Sequence, residues 1–149
     1  MQTLFDPSAR ENVNARLGKL QPSSERQWGK MTPSQMLAHC ANALEVASGD
    51  RPRKQALIGR LFGPLVRKKL LGEEPFGKNS PTDPTFVIRD ERDFETERTR
   101  LKNVLDRFCD RGPEHAARQT HSFLGRLTGE EWGTMMYKHL DHHFRQFGV

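Results

Sequence analysis

Three of the six histidines fall in one helical stretch, YKHLDHHFRQFGV, as His139, His142 and His143. Residues four apart on an α-helix lie about 40° apart around the axis and about 6 Å along it, so His139 and His143 can aim ring nitrogens at one point. A metal ion held there needs a third ligand from another element. His39, in QMLAHCANAL, is the candidate, because it also falls on an inward-facing helical stripe. Three neutral imidazoles around a divalent ion leave positions open for water or substrate, which is the pattern of a catalytic site; structural zinc sites are usually closed by four protein ligands. An HxxxH spacing alone is a weak signal. The opposing reading is a set of core or rim histidines satisfied by hydrogen bonds.

His142 lies about 100° from His143 around the helix and cannot easily share the ion, so its expected place is beside the ligands, supporting them. His121, in THSFLGRLTGEEW, precedes the last helix and is the candidate acid, base or substrate contact, since an imidazole titrates near neutrality. The competing reading has it pin its loop to the helices. Glu45 and Asp141 are candidate hydrogen-bond acceptors behind the ligands, and His115 carries no assignment. Other chemistries fail on geometry. Cys40 adjoins His39, but neighbouring helical side chains point about 100° apart, which suits no thiolate–imidazole pair. HExxH, GxGxxG and Walker loops are absent, and the carboxylate motif ExxH does not recur in two helices.

The elements that must position these residues read as four helices and a crossover. Asp6 and Pro7 begin the first, with Val13, Leu17 and Leu20 as a sparse apolar stripe. The second has the clearest start: Thr32 caps, Pro33 takes the first helical position, and Gln35 completes a capping box. Met36, Leu37, Cys40, Ala43, Leu44 and Ala47 mark its inward face, and Gly49 is a natural stop. Residues 51–85 read as a long crossover, basic and partly helical around 55–71, then rich in Gly and Pro. A third helix is expected from about Asp90 to Arg111, ended by RGPEH. Thr128 and Glu131 open the last, whose stripe runs Trp132, Met136, His139, His143 and Phe147. TFVIR is the one short strand candidate.

Composition agrees with slender amphipathic helices: 34% of the 149 residues are hydrophobic and 29% charged. A single all-α domain over residues 1–149 is expected. No apolar run approaches the roughly 20 residues that span a bilayer. MQTLFDPSAR lacks the basic start and apolar stretch of a secretion signal, so a cytoplasmic location without membrane insertion is expected. Cys40 and Cys109 are isolated and read as small buried hydrophobes. The net charge of +5 is concentrated in RPRKQALIGRLFGPLVRKKLL, residues 51–71. No nucleic-acid-binding signature accompanies it, so the favoured reading is a solvated face; contact with phosphate or an anionic membrane surface is the weaker one.

The segments WGKMTPSQMLAHCANALEVASGD, RLFGPLVRKKLLGEEPFGKNSPTDPTF, DERDFETERTRL and HSFLGRLTGEEWGTMMYKHLDHHFRQFG resemble the DinB/YfiT-like superfamily. More narrowly, they resemble a branch of it known as a domain of unknown function. The resemblance runs from about Trp28 onward. It implies a four-helix bundle of up-down-down-up topology with a long crossover between helices two and three. It also implies zinc or nickel held by one histidine of helix two and an HxxxH pair of the last helix, positions that match His39, His139 and His143. In one place the chain departs from the branch: Ser122 follows His121 where proline is expected.

The chemistry implied is broad. Members of the superfamily include metal-dependent hydrolases, enzymes that transfer low-molecular-weight thiols to electrophiles, and a thiol-dependent isomerase. The leading expectation is therefore a metal-dependent hydrolase or thiol S-transferase acting on a small-molecule substrate, with a low-molecular-weight thiol as a further cofactor. The alternative is a non-catalytic helical binding module that presents its basic crossover to an anionic partner. A third reading makes the bundle a dimerisation unit, since bundle helices leave flat apolar flanks on which a homodimer can form.

Overall fold

The computed structural model describes residues 2–80 and 82–149. It is mostly helical: α1 (Pro7–Lys19), α2 (Pro33–Ala47), α3 (Leu57–Leu71), α4 (Phe94–Ala116) and α5 (Gly129–Gln146), with a 3-10 turn at Pro84–Phe86. A two-residue ribbon, β1 (Thr120–His121) and β2 (Gly125–Arg126), pairs antiparallel just ahead of α5.

Local chemistry fixes the helix starts. The Thr32 hydroxyl accepts from the Gln35 amide while the Gln35 side chain accepts from the Thr32 amide, and Thr128 and Glu131 repeat the arrangement at α5. Both boxes satisfy amide groups that a helix start otherwise leaves without partners. They also set the phase of the two helices that carry His39, His139 and His143. Asp6 does occupy the cap position of α1, although its side chain makes no capping hydrogen bond.

Two boundaries differ from expectation. α4 begins at Phe94, because Asp93 accepts from the Thr96 amide and so caps there. Its regular geometry stops at Gly112 (φ 77°, ψ 176°), before Pro113 opens one more turn to Ala116. Proline disfavours a helical residue before it, and glycine takes the positive φ that results at little cost. The stretch TFVIR forms no strand. Asp83 accepts from the Thr85 amide and Pro84 has no N–H to give a ladder, so a 3-10 turn forms instead. The ribbon at 120–126 was not expected, since two residues per strand are too few to show an alternating pattern.

The core lies between α2, α4 and α5. Leu37, Leu44, Leu101, Val104, Leu105, Phe108, Trp132, Leu140 and Phe144 are all buried there. α2 packs most extensively on α4, α5 lies against both, and α1 packs on α5 and α4. α3 lies outside this group, touching α5 and β2. A polar clamp fixes α2 on α4: Arg100 donates to Glu45 Oε1 (2.6 Å), Asn42 Oδ1 (2.7 Å) and Glu97 Oε2 (3.0 Å). Among the described residues, no helix is long and apolar enough to cross a membrane.

Candidate metal centre

His39 stands on the inner face of α2, and His139 and His143 stand one turn apart on α5. The three offer one ring nitrogen each, and these atoms all lie within 4.8 Å of one another. His39 and His143 are buried, and His139 is partly exposed.

Hydrogen bonds behind the rings decide which nitrogens face inward. His39 Nδ1 lies 3.0 Å from the Phe86 carbonyl oxygen. A carbonyl only accepts, so Nδ1 carries the proton and Nε2 keeps its lone pair. Gln146 Nε2 donates to the Trp28 carbonyl at 2.8 Å, which leaves Gln146 Oε1 to accept from His143 Nδ1 at 2.9 Å. His143 therefore also presents Nε2. Gly29 makes this possible: it has φ +78°, and a Cβ there would collide with the Gln146 amide.

His139 is different. Its Nε2 lies 2.9 Å from His39 Nε2, while its Nδ1 is shielded from solvent with no partner. If Nε2 carries the proton, Nδ1 is a buried acceptor with nothing to accept. If Nδ1 carries it, two lone pairs oppose each other at 2.9 Å. Neither neutral tautomer satisfies both nitrogens, and a cation between the inner nitrogens would remove the opposed lone pairs of the second arrangement. Protonation does not answer the conflict. Burial lowers the pKa of all three rings, to about 3 for His143 and well below the usual value for His139, where the neighbouring histidines add to the effect. Near neutral pH the cluster is thus three neutral imidazoles, a donor set that fits a divalent transition-metal ion.

The partners of His39 and His143 lie outside the histidine pattern. Phe86 acts through its backbone and leaves no sequence signal. Gln146 was legible as the residue three beyond His143 on the same helix, a spacing that lets side chains meet. Removing Gln146 with alanine is expected to weaken divalent-metal binding 10- to 100-fold while leaving the stoichiometry unchanged, because the ring it orients remains. A zinc titration against a competing chelator reads the change; an unaltered affinity would mean that His143 needs no such support.

The other assigned residues take separate places. His142 is buried with its ring 5.0 Å from that of His143, yet it makes no hydrogen bond to a candidate ligand. It sits between Trp28 (5.5 Å) and Phe76 (6.2 Å), joining the crossover to α5. Glu45 and Asp141 do not stand behind the ligands. Glu45 pairs with Arg51 and Arg100, and Asp141 with Arg16 and Arg145. Cys40 is fully buried, and burial pushes its thiol far up; Cys109 is pushed up to about 11.

His121 packs on Trp132, with ring centroids 5.5 Å apart, and its Nδ1 accepts from the amides of Phe123 and Leu124, both at 3.0 Å. The loop is thereby pinned, and the proton of the neutral ring is left on Nε2. Ser122, in the position where proline was expected, donates to Asp83 Oδ2 at 3.1 Å and ties the same loop to the crossover.

Burial lowers the His121 pKa to about 4, with Asp83 opposing the shift. An unfolded imidazole titrates near ~6.5, so the unfolded chain takes up this proton first as pH falls. The contribution to stability is fully present above that value and is lost progressively between about pH 6.5 and pH 4, amounting to about 2 kcal/mol at pH 5. Urea midpoints at pH 7 and pH 5 should therefore separate less in His121→Asn, whose carbonyl can still accept from the two amides. An equal separation in both proteins would refute the assignment.

A family described as "Protein of unknown function (DUF1569)" matches residues 5–148. No curated protein matches the chain, and no solved structure does.

Proposed function

Since the chain belongs to the DUF1569 family, we propose that it is a divalent-metal-dependent enzyme of the DinB/YfiT-like type, with His39, His139 and His143 holding zinc or nickel. The observation that carries this reading is the His39–His139 pair, two ring nitrogens 2.9 Å apart that no neutral tautomer satisfies, with a third neutral imidazole aimed at the same point. A divalent ion held by these three histidines would supply Lewis acidity, lowering the pKa of a water or a thiol so that a nucleophile is available at neutral pH.

The remaining roles belong to the chain itself. His39 and His143 are held in one tautomer by Phe86 and Gln146, so neither reorganises before donating. The partial exposure of His139 gives a small-molecule substrate its way in. His121, neutral near pH 7 with its proton on Nε2, acts as a hydrogen-bond donor to substrate; its low pKa makes it a poor proton shuttle at that pH.

The reaction class is hydrolysis or transfer of a low-molecular-weight thiol to an electrophile, and the protein acts in the cytoplasm. The associated fold is a single domain, residues 1–149, built as an up-down-down-up four-helix bundle from α1, α2, α4 and α5. The mutual packing of those helices, and the position of α3 outside them, support it. Zinc- and nickel-loaded protein should turn over ester substrates, or consume thiol in the presence of an electrophile, and His139→Ala should not. Turnover that survives both chelation and that substitution would exclude a metal-dependent enzyme.

A further inference from the structure

α3 carries a face that the candidate metal centre does not use. Leu57, Ile58, Leu61, Phe62 and Leu65 are all exposed, with Leu57, Leu61 and Leu65 at 80%, 70% and 76%. At about 100° per residue, these five positions form one stripe about 140° wide. The opposite side is the one that packs. Gly59 and Gly63 are buried, and a Cβ on Gly59 would collide with the Phe123 carbonyl oxygen. The helix is therefore docked by its glycines with its large apolar side chains outward, the reverse of an ordinary surface helix.

The charge beside this stripe has one sign. No acidic residue occurs between Arg51 and Gly72. Arg51 and Arg67 are taken up by Glu45 and Glu131. Lys54, Arg60, Lys68 and Lys69 are exposed and have no ion-pair partner among the described residues. Lys68 and Lys69 continue the apolar arc one turn beyond Leu65. Their stems can lie along apolar surroundings while their ammonium groups stay at the polar boundary.

We propose that α3 is a peripheral docking helix for an anionic lipid surface. Its five apolar side chains enter the boundary between headgroups and acyl chains, and Lys54, Arg60, Lys68 and Lys69 meet the lipid anions. A second copy of the chain is disfavoured as the occupant. Two-fold pairing would bring the unpaired basic residues of both copies together with no carboxylate from this segment between them. A protein partner would have to supply a groove for so prominent a ridge, whereas a fluid lipid layer closes around one. The C-terminal end of α3 rests on Lys138, which donates to the Leu70 and Gly72 carbonyls at 2.9 and 2.5 Å, one residue before His139.

The test is co-sedimentation of untagged protein with vesicles of phosphatidylcholine alone or mixed with phosphatidylglycerol. Binding to the anionic vesicles should be at least about tenfold tighter, and it should weaken as salt is raised. Leu61→Glu/Leu65→Glu should abolish it, with helical circular dichroism and the response to zinc unchanged, because both side chains are already in solvent. Lys68→Glu/Lys69→Glu should remove the preference for anionic lipid. Absence of binding by the wild type, or undiminished binding by the leucine pair variant, would overturn the proposal. So would a wild-type dimer in analytical ultracentrifugation that the leucine pair variant dissociates, since a second copy would then cover the face. Competition by millimolar inorganic phosphate at constant ionic strength would also overturn it, since it would reveal a small-anion site.

Discussion

Replacing His139 with alanine is expected to weaken divalent-metal binding by more than about 100-fold, beyond the range that outlying hydrogen-bond partners command. The residue supplies one corner of a near-equilateral cluster, with ring centroids 4.7–4.9 Å apart. Its Nε2 faces His39 Nε2 at 2.9 Å, and its ring lies 4.8 Å from that of His143. Without it, only His39 on α2 and His143 on α5 remain, and two imidazoles hold a transition-metal ion far less firmly than three. The substitution should cost little in folding, because His139 is partly exposed and its Nδ1 has no partner to lose. Zinc at 100 times its dissociation constant should stabilise the wild type by about 2.7 kcal/mol, and that increment should vanish in the variant. Zinc affinity by chelator competition and thermal midpoints with and without zinc measure the two effects.

Phe108→Ala should do the opposite: destabilise the fold and spare the site. Phe108 is 1% exposed on α4, and its ring stacks on Phe5 with centroids 5.0 Å apart. Truncation removes the transfer free energy of a large ring and leaves a cavity that the close-packed core closes only in part, a loss of about 3–5 kcal/mol. For a chain of this length the thermal midpoint should fall by roughly 6–20 °C. The increment from added zinc should nevertheless match the wild type, because no candidate ligand touches the ring. A smaller increment would mean that the metal centre depends on the packing around α4 as a whole.

The histidine cluster was legible because a helix converts spacing into direction. His139 and His143 are separated by one turn, His39 lies on the inward stripe of a helix whose start Thr32 and Gln35 announce, and the two capping boxes fix where each turn begins. The supports of the cluster were less legible. The Phe86 carbonyl comes from a turn that the sequence offered as a strand, and a backbone acceptor has no residue type by which to be found. Glu45 and Asp141 are carboxylates near histidines in the sequence, but Arg100 of α4 and Arg16 of α1 reach across from other helices to claim them, beside Arg51 and Arg145. Such long-range pairings cannot be read from one helix alone. The polarity of α3 was misleading in the same way. Its basic residues read as a solvated face, and Arg60, Lys68 and Lys69 are indeed exposed, but the apolar residues are turned outward as well, because Gly59 and Gly63 let the helix pack by its smallest side.

The central claim is a three-histidine metal centre, and the most direct measurement is the metal content of untagged wild-type protein by inductively coupled plasma mass spectrometry. Protein purified without chelators, or incubated with zinc or nickel and desalted, should carry about one equivalent per chain, with His139→Ala beside it carrying almost none. Wild-type protein that retains no metal after both incubations, or a variant that retains as much as the wild type, would contradict the assignment and leave the three rings as packing.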